Sequence, residues 1–271
     1  MAGRIVSKTS RMPVRHRTAD RYVEAGSRRR TGVDRGNNPM VGGEEILRAF
    51  GRNSWFRNLP AEIATRIVSA TTLKRYEEDE LVHAKYEEAT RLYGVISGGV
   101  RASSMSADGQ ESVFAFMGVG SWFGLGALLD GLTRTHDIRT CQPTVLATIG
   151  RRDFNLLLQE YPILYKHFAL QLCEVVRAAF TVIEDEALLH VQARFAKRLV
   201  ALADLYGVPH GNGTLIQLHL PQQDLASILH VTRATINKKL VEWQRLKWID
   251  MHYGQIIVLN RAALEQLYVE H

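Results

Sequence analysis

The 271-residue chain has room for two globular units and a tail, and its 46% apolar content suits buried cores. It contains no run of 18 or more apolar residues and opens on Met1-Ala2-Gly3-Arg4, so neither a membrane span nor a secretory signal is expected. The net charge of +6 is uneven: residues 1–40 carry ten Lys or Arg against three acids, residues 41–189 fifteen against nineteen, and residues 190–271 nine against six. The basic character therefore comes largely from the tail, with a mildly basic C-terminal third of the kind a DNA-binding module can have.

Residues 1–40 contain Arg28-Arg29-Arg30, several Gly and Ser, and almost no apolar periodicity, which predicts a disordered basic tail. It reads either as an arm adding phosphate contacts or as a solvated extension. Helices are predicted over residues 44–50 and from Leu59-Pro60-Ala61-Glu62-Ile63 through about Ala70. From Leu73 to Ile149 the pattern changes to short apolar segments, with candidate strands over 73–76, 92–96, 99–104, 112–117, 137–140 and 144–149. Turn signals at Ser97-Gly98-Gly99 and Asp108-Gly109 separate them, and this spacing suits a jelly-roll or barrel. A helix over 153–160 ends before Pro162, and a long amphipathic stretch follows from Ile163 to about Leu189.

On that stretch Leu164, Phe168, Leu172 or Cys173, Val175, Val176, Ala179, Val182 and Ile183 recur at three- to four-residue spacing. So long a helix needs a partner for its stripe. Packing within the chain is one solution, and parallel pairing of two copies is the other. The two cysteines, Cys141 and Cys173, make neither a zinc pattern nor a disulfide framework. They are too few for a four-cysteine iron–sulfur sensor. Buried thiols in a cytoplasmic protein are the expectation, with Cys173 packing as a small apolar residue.

The most specific segment runs from Leu225 to Leu240. It reads as two short helices joined by a tight turn, with Leu225, Leu229, Val231, Ile236 and Leu240 facing one small core and Ala226 at the close approach. The second helix then presents Arg233, Asn237 and Lys238 outward, as a DNA-reading helix-turn-helix does. Leu215 to Leu220 alternates like a strand, and residues 248–252 and 255–259 flank Tyr253-Gly254 like a β-hairpin. Strand, helix, turn, helix and hairpin make a winged helix. His230 stands at the turn, where a positive φ is strained but feasible for histidine.

The order helix, β-roll, long helix and winged helix resembles the Crp/Fnr family of bacterial transcription regulators over about residues 44–270. Residues 92–100 look like its β-roll segment, Gly120 to Thr135 like its phosphate-binding cassette, and Gln222-Gln223-Asp224-Leu225-Ala226 with Val231-Thr232-Arg233 like its helix-turn-helix. The fold class so implied is α+β: an N-terminal β-roll sensor domain over 41–160, a dimerisation helix over 161–189 and a winged helix-turn-helix over 190–271. The resemblance implies a homodimer on a palindromic duplex DNA operator, working with RNA polymerase and without a membrane. Its candidate DNA contacts are Thr232, Arg233, Ala234, Thr235, Asn237 and Lys238. Thr232 caps the helix, Asn237 is placed for an adenine edge, and Ala234 can touch only apolar surface such as the thymine methyl.

The candidate effector pocket, again by resemblance, comprises Gly124, Leu125, Arg134, Thr135, Ala179 and Phe180. Arg134 matches the family arginine that pairs with a cyclic phosphate, and Thr135 the neighbouring hydroxyl. Three departures argue against cyclic AMP. Leu125 stands where cyclic-nucleotide binders carry a Glu for the ribose hydroxyl, leaving that hydroxyl unpaired at about 1–3 kcal/mol. Tyr86 replaces a turn glycine and does not easily take a positive φ. Ala179 and Phe180 replace adenine-contacting hydroxyls, with Phe180 expected to fill space. Arg134 is left to bind another anion or to enter a structural salt bridge. His83, His136 and His167 show no paired ligand spacing, so no metal, haem or other cofactor is expected. The chain shows no catalytic constellation and is not expected to be an enzyme. The alternative reading is a ligand-binding or regulatory module whose main role is not DNA binding.

Overall fold

The computed structural model describes residues 42–252 and 254–269. The basic tail expected over 1–40, with its arginine run, lies outside the described residues. Three helices open the described chain: α1 (Gly43–Phe50), α2 (Ser54–Arg57) and α3 (Ala61–Ser69). Asn53 caps α2 by accepting a hydrogen bond from the Trp55 amide. Phe50 packs on Trp122 at 4.1 Å between ring centroids, and Trp55 meets Phe168 edge-on at 5.1 Å. This aromatic cluster ties the opening helices to the β-roll and to the start of the long helix.

Eight strands form the roll: β1 (Thr72–Tyr76), β2 (Leu81–His83), β3 (Arg91–Ser97), β4 (Gly99–Met105), β5 (Glu111–Gly118), β6 (Trp122–Phe123), β7 (Asp137–Thr140) and β8 (Thr144–Gly150). They pair antiparallel into two four-stranded sheets, ordered β1-β8-β3-β6 and β2-β7-β4-β5. Inward residues from both sheets, including Tyr93, Val95, Val100, Ile138 and Leu146, meet as one core. The turn read at Ser97-Gly98-Gly99 is present. Gly98 sits at φ +80°, where a β-carbon would collide with the Pro143–Thr144 backbone, so only glycine fits. A short helix α4 (Leu125–Leu129) interrupts the strands, and α5 (Arg151–Glu160) follows them.

The long helix α6 (Leu164–Leu188) buries only Leu164 and Phe168. Further along, Val175, Val176, Phe180, Ile183 and Leu188 are exposed, so the single chain does not use the rest of the stripe. Cys173 is likewise exposed, which corrects the expectation that it packs, whereas Cys141 is buried and burial pushes its thiol up to about 12. The helix ends at Leu189 and His190, both extended. Across this break Asp185 pairs with Lys197 at 2.5 Å and Glu186 pairs with Arg194.

Helix α7 (Val191–Tyr206) leads into β9 (Gly207–His210), β10 (Gly213–Ile216), α8 (Gln222–Ile228), α9 (Arg233–Arg245), β11 (Ile249–His252), β12 (Gln255–Val258) and α10 (Arg261–Val269). The strands form a sheet ordered β11-β12-β10-β9. The strand read over Leu215–Leu220 is shorter than expected. Beyond Ile216 the backbone donors go singly to other partners: Gln217 to the Tyr206 carbonyl, His219 to Gln142 Oε1 and Leu220 to the Gly254 carbonyl. Among the described residues no helix is long and apolar enough to cross a membrane.

Phe195, Ala196, Leu199, Leu225, Ile236, Leu240 and Trp243 form the C-terminal core, and Val113, Phe116 and Cys141 of the roll belong to the same cluster. Because this core crosses from the roll to the C-terminal unit, Leu199→Ala is expected to cost about 2–5 kcal/mol. It should also shift tryptophan fluorescence and circular dichroism together in denaturant. Two separated transitions would contradict a shared core.

Candidate nucleic-acid interface and effector pocket

Helix α9 has two different faces. Ile236, Leu240 and Trp243 are buried, with Trp243 stacked on Phe195 at 4.9 Å. One residue to either side of Ile236 the helix is open: Thr232, Arg233, Ala234, Thr235, Asn237 and Lys238 are all exposed. Thr232 starts the helix in extended conformation, and its Oγ1 accepts from the Thr235 amide at 3.2 Å. That satisfies one of the orphan amides at the helix start, as its sequence position suggested. The turn from α8 closes through His230 at φ +54°, the left-handed conformation anticipated there. The Val231 amide donates to the Ala226 carbonyl across the turn, where Ala226 is buried in the close approach.

A shallow depression on this face is lined by Gln222, Arg233, Ala234 and Asn237. Its lining combines a methyl group, two side-chain amides and a guanidinium. Gln222 belongs to the helix-turn-helix motif of the sequence and lies outside its candidate DNA contacts. Its Nε2 lies 3.4 Å from Asn237 Oδ1 and orients that amide. The missing signal is long in sequence, fifteen residues, but short in space.

The second candidate site is built around Arg134, which is 3% exposed. Its Nη1 donates to the Gly124 carbonyl at 2.8 Å and its Nη2 to the Arg91 carbonyl at 2.5 Å. Its Nε lacks a hydrogen-bond partner, and no ion pair to Arg134 is made among the described residues. The arginine is thus a buried cation on two carbonyls, not a member of a structural salt bridge. Burial disfavours its charge, and the Tyr93 ring lies 5.7 Å away. Gly124 has φ +86°, and a β-carbon there would sit 2.5 Å from Arg134 Nη1, so glycine is required for the arginine to turn inward.

The other pocket residues are placed differently. Leu125 is 6% exposed and belongs to the core beside Leu92 and Leu128, so it seals the cassette helix to the roll. Thr135 is exposed and bonds His136 Nδ1 at 2.8 Å. Ala179 is exposed on α6, and Phe180 is 66% exposed, so in the single chain Phe180 does not fill space at the pocket as expected. Tyr86 corrects a second expectation. It does take a positive φ, +68°, with its amide bonded to the Arg134 carbonyl and its ring projecting into solvent under Lys85. An exposed side chain meets few atoms, so the cost of the conformation stays local.

Beside Arg134 lies buried His83, whose ring faces Tyr93 at 5.8 Å and His136 at 6.4 Å between centroids. Burial, then the Arg134 and His136 charges, lower its pKa from 6.5 to about 3. Among the described residues no group of three or more His, Cys, Asp or Glu is placed to hold a metal ion.

Thr232→Ala is expected to lower stability by about 1 kcal/mol in denaturant melts, since it removes the helix cap. His83 gives a pH signature. Below 6.5 the unfolded chain takes up a proton that the folded chain refuses until about 3, so stability falls as pH drops through that window. His83→Leu is expected to flatten the melting-temperature decline between pH 6.5 and 4.5, and an unchanged slope would contradict a neutral buried ring.

Two family models match the chain: the cyclic nucleotide-binding domain over residues 73–161 and the Crp-like helix-turn-helix domain over residues 193–267. The cAMP-activated global transcriptional regulator CRP of Haemophilus influenzae is 30% identical over 182 residues, 66% of this chain and 79% of that protein. The CRP-like cAMP-activated global transcriptional regulator of Mycobacterium tuberculosis is 25% identical over 183 residues, 68% of this chain and 82% of that one. Among solved structures, FixK2 from Bradyrhizobium japonicum superposes with a TM-score of 0.64 at 20% identity, covering 73% of this chain and 98% of FixK2. The c-di-GMP responsive global regulator CLP of Xanthomonas campestris gives 0.60 at 23% identity, with 73% and 99% covered. The two sequence relatives are named as transcriptional regulators. With both family models matched in turn and a relative at 30% identity, the chain belongs to the Crp/Fnr family of DNA-binding transcription regulators.

Proposed function

We propose that the chain is a homodimeric, sequence-specific regulator that reads a palindromic duplex through Thr232, Arg233, Ala234, Thr235, Asn237 and Lys238. The observation that carries this reading is the capped helix α9, which buries one face completely and presents six polar or small residues on the other. Arg233 and Lys238 supply a guanidinium for a guanine edge and an ammonium for phosphate. Ala234 in the lining of the depression suits a thymine methyl, and Asn237 suits an adenine edge.

Pairing of two copies along α6 is supported by the exposed stripe of Val175, Val176, Phe180, Ile183 and Leu188, which water does not favour. The working division is a sensor over 41–160, a pairing helix over 161–189 and a DNA-binding unit over 190–271, with RNA polymerase as the further partner.

For the sensor, the supporting observation is Arg134, a buried cation with a spare Nε and, among the described residues, no ion-pair partner. That is the chemistry of an anion receptor. Leu125, turned into the core, offers nothing to a ribose hydroxyl. The effector this supports is an anionic small molecule other than cyclic AMP.

The test of DNA reading is selection of duplexes from a random pool by the purified chain. A defined motif should emerge, and Arg233→Ala should weaken it by about 1–3 kcal/mol while relaxing one base preference. Equal weakening on every sequence would show that Arg233 serves phosphate alone, and absence of any motif would overturn the reading.

A further inference from the structure

The β4–β5 hairpin of the sensor sits against α8, the first helix of the helix-turn-helix, and one arginine supplies the largest charge attraction in that contact. Arg101, on β4, is almost fully buried among three carboxylates. Its Nη2 donates to Asp79 Oδ1 at 2.6 Å, its Nε donates to Glu111 Oε1 at 3.4 Å, and its Nη1 donates to the Thr140 carbonyl at 3.3 Å. All three partners belong to the roll. The third carboxylate, Asp224 on α8, brings Oδ2 to 3.5 Å from Arg101 Nε.

Asp224 is itself nearly buried, and its Oδ2 has no hydrogen-bond partner. Its other carboxylate neighbours, Glu111 and Asp79, repel it. Arg101 supplies the largest charge attraction that opposes this repulsion, with His219 a smaller one. Removing one member of such a buried cluster leaves the others uncompensated.

One turn along the same face of α8, Ser227 completes the contact. Its Oγ donates to the Glu111 carbonyl at 2.9 Å and accepts from the Val113 amide at 2.9 Å. Residues three apart share a helix face, so Asp224 and Ser227 present one docking edge to the hairpin. Gln222, on α8 as well, reaches instead to Asn237 of the reading helix. Helix α8 therefore couples the roll on one side to α9 on the other.

We propose that Arg101 is a positioning residue for DNA recognition: through Asp224 it fixes the orientation at which the sensor carries α8 and α9, and so sets the spacing of two reading helices in a pair. This rests on the DNA-binding dimer proposed above. A residue of purely structural value would change stability without changing which operator geometry is preferred. A positioning residue changes that geometry.

The experiment compares full-length wild type with Asp224→Asn, Arg101→Gln and the double variant. Affinity is measured on duplexes whose two selected half-sites are separated by a series of spacers, and on a duplex with one half-site. Asp224→Asn keeps the side-chain shape and should lower affinity for the best-spaced duplex about tenfold, flatten the spacer preference, and change single-half-site binding less than twofold. Arg101→Gln should be more damaging. In that background Asp224→Asn should recover affinity, because it removes a repelling charge. An unchanged spacer preference in Asp224→Asn, or losses that simply multiply in the double variant, would overturn the proposal while leaving DNA reading intact. Hydrogen exchange at the Val113 amide in DNA-free protein reads the same contact independently. It should speed up about tenfold in Asp224→Asn, and unchanged exchange would overturn the clasp even for a chain that selects no duplex.

Discussion

The proposed reading face depends on burial of the opposite face of the same helix. Ile236, Leu240 and Trp243 lose their water to Phe195, Leu199 and Leu225, which fixes the rotation of α9 about its own axis. Only at that rotation do Arg233, Asn237 and Lys238 point together into solvent. The cap at Thr232 then fixes where the helix begins, and the left-handed His230 fixes how it leaves α8. Backbone geometry and apolar packing thus set the geometry of the proposed DNA-facing surface, while the polar side chains supply its chemistry.

The same core continues into the sensor through Val113, Phe116 and Cys141, so the two functions are mechanically joined. Around that apolar seam lies a polar one, the Arg101 cluster and the Ser227 bonds. Apolar contacts are tolerant of direction, whereas hydrogen bonds and ion pairs are not. The apolar seam holds the units together, and the polar seam specifies their angle. At the pocket, Arg134 plays a comparable part, since its two carbonyl bonds tie the cassette helix at Gly124 to β3 at Arg91. An anion at its free Nε would act on both elements at once.

Much of this was legible in the sequence, because the elements concerned are amphipathic. The candidate strands 73–76, 92–96, 99–104, 112–117, 137–140 and 144–149 correspond closely to β1, β3, β4, β5, β7 and β8, since each alternates or runs between turn residues. The helix-turn-helix was legible for the same reason. Strands β2 and β6 were missed because three and two residues show no period. Helix α7 was missed because Ala193, Phe195, Ala196, Leu199, Val200, Leu202 and Ala203 are buried on most of its circumference, which blurs the 3.6-residue pattern. The fates of individual site residues were less accessible. Arg134 folds onto carbonyls 10 and 43 residues away, and Arg101 meets Asp224 across more than a hundred residues. Tyr86 holds its positive φ while its amide donates to the Arg134 carbonyl, a distant contact that local sequence does not hold.

The central claim is that two reading helices act together on one duplex. It is tested most directly by taking the selected operator and inserting five base pairs between its half-sites. Half a helical turn places the sites on opposite faces of DNA, where two helices carried about 34 Å apart cannot both enter the groove. The account predicts that affinity falls to that of a single half-site and returns in part when ten base pairs are inserted. Affinity that ignores the five-base-pair insertion would contradict a paired, rigidly carried reading head.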